Sequence, residues 1–278
     1  VSRYIRDPQL RMTMSFHPLL IGGTPFSVTS VYTLISYLEQ RWGVWSAMGG
    51  TGSIVKGMAG LIEGQGGKIE CNAEVEEILV ENGNAKGVRL RDGRVLHSDL
   101  VVSNADAAWT YRHLIDARHR KRWTDRKIER SHYSNGLFVW YFGTKGQYED
   151  VPHHSVILGP RYRGLLDDIF KRKVLADDFS LYLHRPTETD PSMAPDGCDA
   201  FYALAPVPHL DADVDWSEYA ETFRQRICQR LEDTMLPGLS DRIVTSRLLT
   251  PQDFQDRLCS FKGAGFSFEP RITQSAWF

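Results

Sequence analysis

Residues 66–106 read GGKIECNAEVEEILVENGNAKGVRLRDGRVLHSDLVVSNAD and carry the clearest structural signals in the chain. The paired glycines Gly66 and Gly67 are expected to end a preceding helix, and short strands should follow them. Asp92-Gly93, between two apolar runs, is a strong hairpin signal. The stretch therefore predicts a β-meander and then a short apolar strand suited to burial on both faces. The expected strands are Lys68–Asn72, Val75–Glu81, Ala85–Arg91, Val95–His97 and Leu100–Ser103.

The residues upstream of the meander favour helices. A first helix is expected between Val1 and Leu20, before Gly22 and Gly23 break the pattern. A glycine-containing turn at 49–52 then precedes another amphipathic segment. Between them, one helical stripe has the spacing i, i+3, i+4, i+7 and i+11. It consists of Val31, Leu34, Ile35, Leu38 and Trp42.

Downstream of Ser134 the pattern changes to strands rich in aromatic and β-branched residues, which favour pleated structure. A long amphipathic helix, Trp216–Leu236, interrupts them and is ended by Pro237 and Gly238. The expected strands are Leu137–Gly143, Ser155–Leu158, Ser180–His184, Ala200–Ala205 and Ile243–Leu249. Helices mixed with a largely antiparallel sheet place the chain in a mixed α/β (α+β) class.

Composition and charge exclude several classes of protein. Among 278 residues, 33 Lys and Arg balance 35 Asp and Glu, so the basic excess of a dedicated nucleic-acid surface is absent. The sequence contains no run of about 18 apolar residues, so no membrane-spanning helix is predicted. Cys71, Cys198, Cys228 and Cys259 lack zinc or thioredoxin spacing and are interpreted as reduced thiols. The basic cluster Arg118–Arg130 is interpreted as a solvated face, with contact to anionic lipid as the alternative.

Residues 66–106 resemble the second half of a flavin-adenine dinucleotide (FAD) binding domain in FAD-linked oxidases and desaturases. This resemblance rests on the GG…I…V..I pattern, the meander and the turn SNA. Long irregular strings extend it to essentially the whole chain, which is similar to bacterial-type phytoene desaturases. They include DPQLRMTMSFHPLLIGGTPFSVTSVYTLI, SNGLFVWYFG, DDFSLYLHRPTETDPSMAPDGC and FSFEPRITQSAWF.

This resemblance implies an incomplete, Rossmann-like FAD-binding lobe and a substrate lobe. The family's N-terminal GxGxxG fingerprint and its GAGTHPG-like stretch are absent, so we expect the interior of a longer flavoenzyme. The expected parts are a substrate- or membrane-facing helical part (1–44), a partial FAD-binding domain (45–106), a substrate domain (107–270) and a return toward the FAD domain (271–278).

Cofactor-binding candidates follow from the same resemblance. The strand edge at Val75 can offer main-chain groups to an adenine ring, and small residues let backbone approach a cofactor closely. The full set is Val75, Ser103, Asn104, Ala105, Gly49 and Gly50. On the segment alone, a meander of any α/β protein remains an alternative.

The family's reaction is the stepwise dehydrogenation of phytoene, usually to lycopene, with FAD accepting the electrons. Phytoene has no polar group for a protein to bind, so its affinity must come from burial of apolar surface. That burial contributes about 25 cal/mol per Å² removed from water. An aromatic and aliphatic channel is therefore expected, although ordinary core packing is the commoner role for any one such residue. Its candidates are Phe16, Phe26, Tyr32, Phe138, Trp140, Phe142, Tyr182 and Tyr202.

Catalytic residues cannot be assigned from the sequence. His17, His184 and Glu269 are weak candidates for a base, and each is also typical of a satisfied core residue. Arg161 and Arg163 could contact the flavin, but pairing with neighbouring aspartates is favoured. No metal site is expected, because the histidines lack a spacing such as HExxH.

Partners and location follow from the resemblance as well. We expect phytoene and partly desaturated carotenes as substrates, no nucleic acid, and a cytoplasmic enzyme peripherally associated with the inner membrane. A related isomerase, a C30 desaturase or a ketolase would use a similar channel. A fragment that only binds apolar ligands or a membrane surface is a further alternative.

Overall fold

The computed structural model describes residues 1–275. Its strands form two separate antiparallel sheets, one of three strands in the order β1-β2-β3 and one of five in the order β5-β6-β7-β4-β8. The strands are β1 (Val75–Glu81), β2 (Asn84–Leu90), β3 (Val95–His97), β4 (Gly136–Lys145), β5 (His154–Ile157), β6 (Leu181–His184), β7 (Cys198–Val207) and β8 (Ile243–Leu249).

Helices connect and cover these sheets. They are α1 (Pro8–Thr13), α2 (Leu34–Trp42), α3 (Thr51–Gly64), α4 (Ala107–Trp109), α5 (Asp125–Arg130), α6 (Tyr162–Asp167), α7 (Trp216–Thr234), α8 (Leu239–Arg242), α9 (Pro251–Leu258) and α10 (Ile272–Ser275). The mixed α/β class with antiparallel sheets is therefore confirmed.

The small sheet is the predicted meander. Its first turn places Asn82 at φ 50° and Gly83 at φ 80°, the left-handed conformation that a two-residue hairpin turn requires. Its second turn contains the predicted Asp92-Gly93 pair, and the N–H of Leu90 donates to the carbonyl of Arg94 at 2.9 Å. The second hairpin was predicted from the Asp92-Gly93 pair, because turn chemistry is local.

Two predicted strands flank the meander and do not form in the described residues. Lys68–Asn72 and Leu100–Ser103 adopt no strand. Leu100 and Val102 are 76% and 83% exposed. A strand is stabilised by its hydrogen-bonded neighbours, and within residues 1–275 no strand pairs with either segment.

The N-terminal part is less helical than expected. Val1–Leu20 contains only the six-residue α1 and a 3-10 segment at His17–Ile21. The predicted stripe begins in a 3-10 turn, Ser30–Thr33, and continues through α2. Leu34 and Trp42 on this stripe are 50% and 61% exposed, so the described residues leave much of it uncovered.

The five-stranded sheet and α7 form the main core. Tyr219, Phe223, Ile227 and Leu231 recur every four residues along α7, as one side of a helix requires. Phe223, Ile227 and Leu231 are fully buried against the sheet. Asp215 caps the helix by accepting a hydrogen bond from the N–H of Ser217 at 2.9 Å. The predicted helix and all five predicted strands of this half are confirmed, with ends that differ by at most two residues.

Candidate functional site

The sheet has two chemically different faces because side chains alternate along each strand. The face away from α7 carries a row of aromatic side chains that crosses four strands. Strand register places His154 opposite His184, His184 opposite Tyr202, and Tyr202 opposite Tyr141. Tyr182 lies two residues before His184 on the same face. We call Tyr141, Tyr182, His184 and Tyr202 the aromatic face.

The rings of the aromatic face are in contact. The Tyr202 ring centroid lies 5.6 Å from Tyr141, 5.6 Å from Tyr182 and 4.6 Å from His184. Such separations are typical of favourable aromatic pairs. Tyr141 is 42% exposed and the other three are half-buried, so a ligand could reach this surface.

Three side chains of the aromatic face are uncharged at neutral pH, and the exposed Arg247 of β8 stands opposite Tyr141 at its edge. Burial, the dominant cause, raises the pKa of Tyr182 and of Tyr202 above its ordinary value. Burial, reinforced by the neighbouring His153 and His154, lowers the pKa of His184 to about 4. Uncharged phenols suit contact with an apolar molecule, because no ion has to lose its water.

Three of the expected channel residues lie on the opposite face. Phe138 and Trp140 are fully buried and Phe142 is 3% exposed. Phe138 packs edge-to-face on Phe223 of α7, with ring centroids 4.9 Å apart. The expectation is corrected for these three residues: they are core beneath α7 and cannot line one surface with Tyr182 and Tyr202.

The remaining channel candidates lie in the N-terminal part. Phe26 and Tyr32 line a cleft of about 490 Å³ that also includes His17 and Tyr162. The Arg163 guanidinium sits over the Phe26 ring, 4.6 Å from its centroid. Phe16 stacks on His17 at 4.4 Å. The structure thus brings Phe26 and Tyr32 together, as it does Tyr182 and Tyr202, in two different places.

The predicted glycine turn lies on the side of the aromatic face. Gly49 and Gly50 have φ of 79° and 75°, which favours glycine. The N–H of Gly49 donates to the Asp190 carboxylate at 2.6 Å. A Cβ on Gly50 would come within 2.9 Å of the Met193 methyl. Met193 and Tyr141 line one groove of about 370 Å³, so this turn borders the aromatic face.

The other cofactor candidates are accessible. Val75 begins β1, an edge strand of the described meander, and is half-buried. Ser103, Asn104 and Ala105 are exposed, and the Ser103 hydroxyl shares a 2.8 Å hydrogen bond with Thr110. β1 contacts the segment that begins at Thr110. Small, exposed residues next to a free strand edge fit a dinucleotide that binds through main-chain groups.

Most of the other titratable candidates are satisfied structurally. Glu269 is 2% exposed, accepts from Arg271 at 2.6 Å and also accepts from the Ser27 hydroxyl. His17 Nε2 lies 3.2 Å from the Glu39 carboxylate. Arg161 pairs with Asp168 at 3.0 Å and with Asp178. These contacts favour structural roles, and the expected pairing with aspartates is seen for Arg161, whereas Arg163 sits over the Phe26 ring.

The residues that sequence reasoning missed are His153 and His154. One ring nitrogen of each lies within 4.8 Å of the others in a group that includes His184. The expectation of no metal site rested on spacing along the chain, whereas this group forms across paired strands. The signal was a histidine pair directly before one predicted strand and a third histidine at the end of the next, but it required the pairing of β5 with β6.

A buried ion pair holds the ends of β6 and β7 beside this group. Arg185 and Asp199 are 5% and 1% exposed and meet at 3.0 Å. Asp199 also accepts from the Thr187 hydroxyl at 2.6 Å and from the N–H of Tyr148 at 2.8 Å. The N–H of Arg185 donates to the carbonyl of His153 at 2.8 Å, which fixes β5 against β6.

Among residues 1–275, every helix is either too short or too polar to cross a lipid bilayer.

The domain limits expected from the sequence stay predictions, and residues 276–278 of the last part lie outside the described residues.

Comparisons with known proteins agree with this geometry. A phytoene desaturase (neurosporene-forming) of Cereibacter sphaeroides is 54% identical over 99% of this chain and 54% of its own length. A phytoene desaturase (lycopene-forming) of Pseudescherichia vulneris is 50% identical over 100% of this chain and 57% of its own. The chain spans about half the length of the curated relatives it matches.

Solved structures share the fold. An oxidoreductase from Methanosarcina mazei superposes with a TM-score of 0.60 and 20% identity, over 90% of this chain and 55% of that one. A reduced UDP-galactopyranose mutase gives 0.54 and 12% identity, over 94% and 53%.

A family model described as flavin containing amine oxidoreductase matches residues 1–273. The expected resemblance to bacterial phytoene desaturases and the expectation of FAD as cofactor are both confirmed. This chain therefore belongs to the flavin containing amine oxidoreductase family.

Proposed function

We propose that the whole protein is an FAD-dependent phytoene desaturase that converts phytoene to lycopene by successive dehydrogenations. The observation that carries this proposal is the aromatic face, a surface of aromatic rings bordered by the glycine turn at Gly49 and Gly50. Its support from relatives is the 46–54% identity to proteins named phytoene desaturases.

In this proposal the chain's residues bind and orient, and FAD, when bound, supplies the hydride acceptor. Tyr141, Tyr182 and Tyr202 offer ring surface to a hydrocarbon, with affinity set by the apolar area that leaves water. Gly49, Gly50 and the exposed Ser103–Ala105 segment would hold the cofactor. The hydrogen bond from the Gly49 N–H to the Asp190 carboxylate fixes the turn relative to the sheet.

The test is to express the whole protein in cells that accumulate phytoene and to analyse the extracted pigments by chromatography. Lycopene as the main product supports the proposal, and unchanged phytoene overturns it. Accumulation of neurosporene would keep the desaturase activity but correct the end product, since one relative is named neurosporene-forming. An isomerised, C30 or oxygenated product would identify one of the related reactions instead.

We further propose that the whole protein works at the cytoplasmic surface of the inner membrane. The support is chemical, because a substrate as apolar as phytoene resides in lipid. The basic residues of 118–130 suit contact with anionic headgroups, and Arg118 is mostly exposed there. Flotation with phosphatidylglycerol-containing liposomes should carry the protein upward. Protein that stays wholly at the bottom of the gradient would contradict this location.

A further inference from the structure

We propose that His153, His154 and His184 form a binding site for one divalent transition-metal ion of the Zn²⁺ class, which ties edge strand β5 to β6. One ring nitrogen from each side chain lies within 4.8 Å of the other two. Imidazole nitrogen is a preferred ligand of such ions. The site comes from two paired strands, in which His154 and His184 stand directly opposite each other.

Hydrogen bonds orient the ring of His153 as a ligand. Its Nδ1 lies 2.5 Å from the Thr189 hydroxyl, and that hydroxyl donates to Glu188 at 2.9 Å. Because the hydroxyl proton goes to Glu188, the Thr189 oxygen accepts a proton from His153 Nδ1. The Nε2 of His153 therefore presents its lone pair to His184 Nε2, 2.9 Å away, from which it accepts a hydrogen bond that a bound ion would replace. A histidine held in this way by a second polar group is typical of metal centres.

The other two rings have matching features. His154 Nδ1 contacts the Tyr182 hydroxyl at 2.6 Å, a partner that could hold its proton when the other nitrogen binds a metal. His184 Nδ1 is buried and has no hydrogen-bond partner among the described residues, so this ring is not committed to the protein through both nitrogens.

Charge and access also suit a cation. Glu188 and Glu39 both act electrostatically on His154, and each favours positive charge there. His154 is exposed, which leaves a path from solvent and room for a water ligand.

The required adjustment is small. Tetrahedral Zn²⁺ with nitrogen at 2.0–2.1 Å places its ligand atoms roughly 3.4 Å apart. The pair at 2.9 Å would open slightly, and the widest separation of 4.8 Å would close by about 1.4 Å. Rotation of an exposed imidazole such as His154 can supply a movement of this size.

The experiment uses the whole protein, freed of any affinity tag and treated with chelator. Zn²⁺ is titrated by calorimetry, and Co²⁺ is added in parallel while visible absorption is recorded. We expect one ion per chain, micromolar or tighter affinity, and a Co²⁺ d–d band of a nitrogen-coordinated site. Saturating Zn²⁺ should also raise the unfolding temperature, because it binds the folded chain.

Variants locate the ion. His153→Asn, His154→Asn and His184→Asn should each weaken Zn²⁺ at least 10-fold and remove the Co²⁺ band, while the exposed His97→Asn serves as the matched control and changes neither. Thr189→Val should weaken Zn²⁺ by about 10-fold through the His153 ring. Equal affinity in all of these variants, or no band in the parent, overturns the site. If one variant does not fold, the other two decide.

Discussion

The buried Asp199 carboxylate connects several segments of the chain through its hydrogen bonds. It accepts hydrogen bonds from Arg185, Thr187 and the N–H of Tyr148, and so joins β7 to the segment after β4 and the segment after β6. Asp199→Ala would leave the Arg185 guanidinium buried without its counter-ion. Breaking a buried pair in this way costs about 3–5 kcal/mol. Urea unfolding should show that loss, and the exposed Asp196→Ala should change the unfolding free energy little; equal effects would contradict this role.

Trp140 and Tyr141 are adjacent in sequence and have opposite environments. Trp140 is fully buried beneath α7 and its Nε1 donates to the Ser246 hydroxyl at 2.8 Å, whereas Tyr141 is 42% exposed on the aromatic face. Trp140→Ala should cost about 3–5 kcal/mol of unfolding free energy through lost burial and a cavity. Tyr141→Ala should cost less than about 1 kcal/mol. Thermal or urea unfolding of the two variants checks this, and comparable losses would contradict the assignment of faces.

His209 predicts how stability changes with pH. It is 2% exposed, and its Nε2 accepts from the Lys173 ammonium at 2.8 Å. Burial, then Lys173 and Lys262, lower its pKa to about 4, although Asp211 acts in the opposite direction. The unfolded chain, with its histidine pKa near 6.5, binds more protons between pH 6.5 and 4. Stability from this residue is complete above pH 6.5 and falls as the pH drops.

The expected loss from His209 is about 2 kcal/mol between pH 7 and pH 5. Urea unfolding across this range should show it. His209→Gln should reduce the pH dependence by that amount, whatever its effect at pH 7. An unchanged slope in the variant would show that His209 is not the group that titrates.

The hairpin of β2 and β3 requires a glycine at position 87, because the two strands approach too closely there for a side chain. Its φ is 135°, and a Cβ would lie 2.0 Å from the carbonyl oxygen of Leu96. Gly87→Ala should therefore separate β3 from β2 and lower the unfolding temperature. Hydrogen exchange should show faster exchange in 95–97. Gly83→Asn, in a turn where Asn tolerates the left-handed conformation, is the control; retained protection in Gly87→Ala would contradict the close approach.

Elements were predictable where the signal was local. The Asp92-Gly93 turn and the stripe of α7 each depend on a few neighbouring residues, and both were confirmed. The face of β4 was not predictable, because Leu137, Val139 and Tyr141 are as apolar as Phe138 and Trp140. Alternation separates two faces but does not say which one a helix covers. Leu100–Ser103 was predicted as a strand from its apolar character, although a strand also needs paired neighbours.

Sites were harder to predict than elements because they form across the whole molecule. Some 30 residues separate His154 from His184, and only the pairing of β5 with β6 brings them together. Gly49 and Asp190 are 141 positions apart and meet in a 2.6 Å hydrogen bond. The family and its cofactor were nevertheless recognised from irregular strings along the chain. The contacts that build the site were not encoded in any one string.

The proposed function depends on the aromatic face, and a charge placed there tests it. Tyr202 is half-buried between Tyr141, Tyr182 and His184, so Tyr202→Asp puts an ion where a hydrocarbon should lie. Binding would then require desolvation of that ion. In the whole protein we expect at least a 10-fold loss of phytoene conversion with flavin content retained. Gln225→Asp, at an exposed position of α7, should leave conversion unchanged. Normal conversion by Tyr202→Asp would move the substrate surface elsewhere, and the cleft of Phe26 and Tyr32 would be tested next.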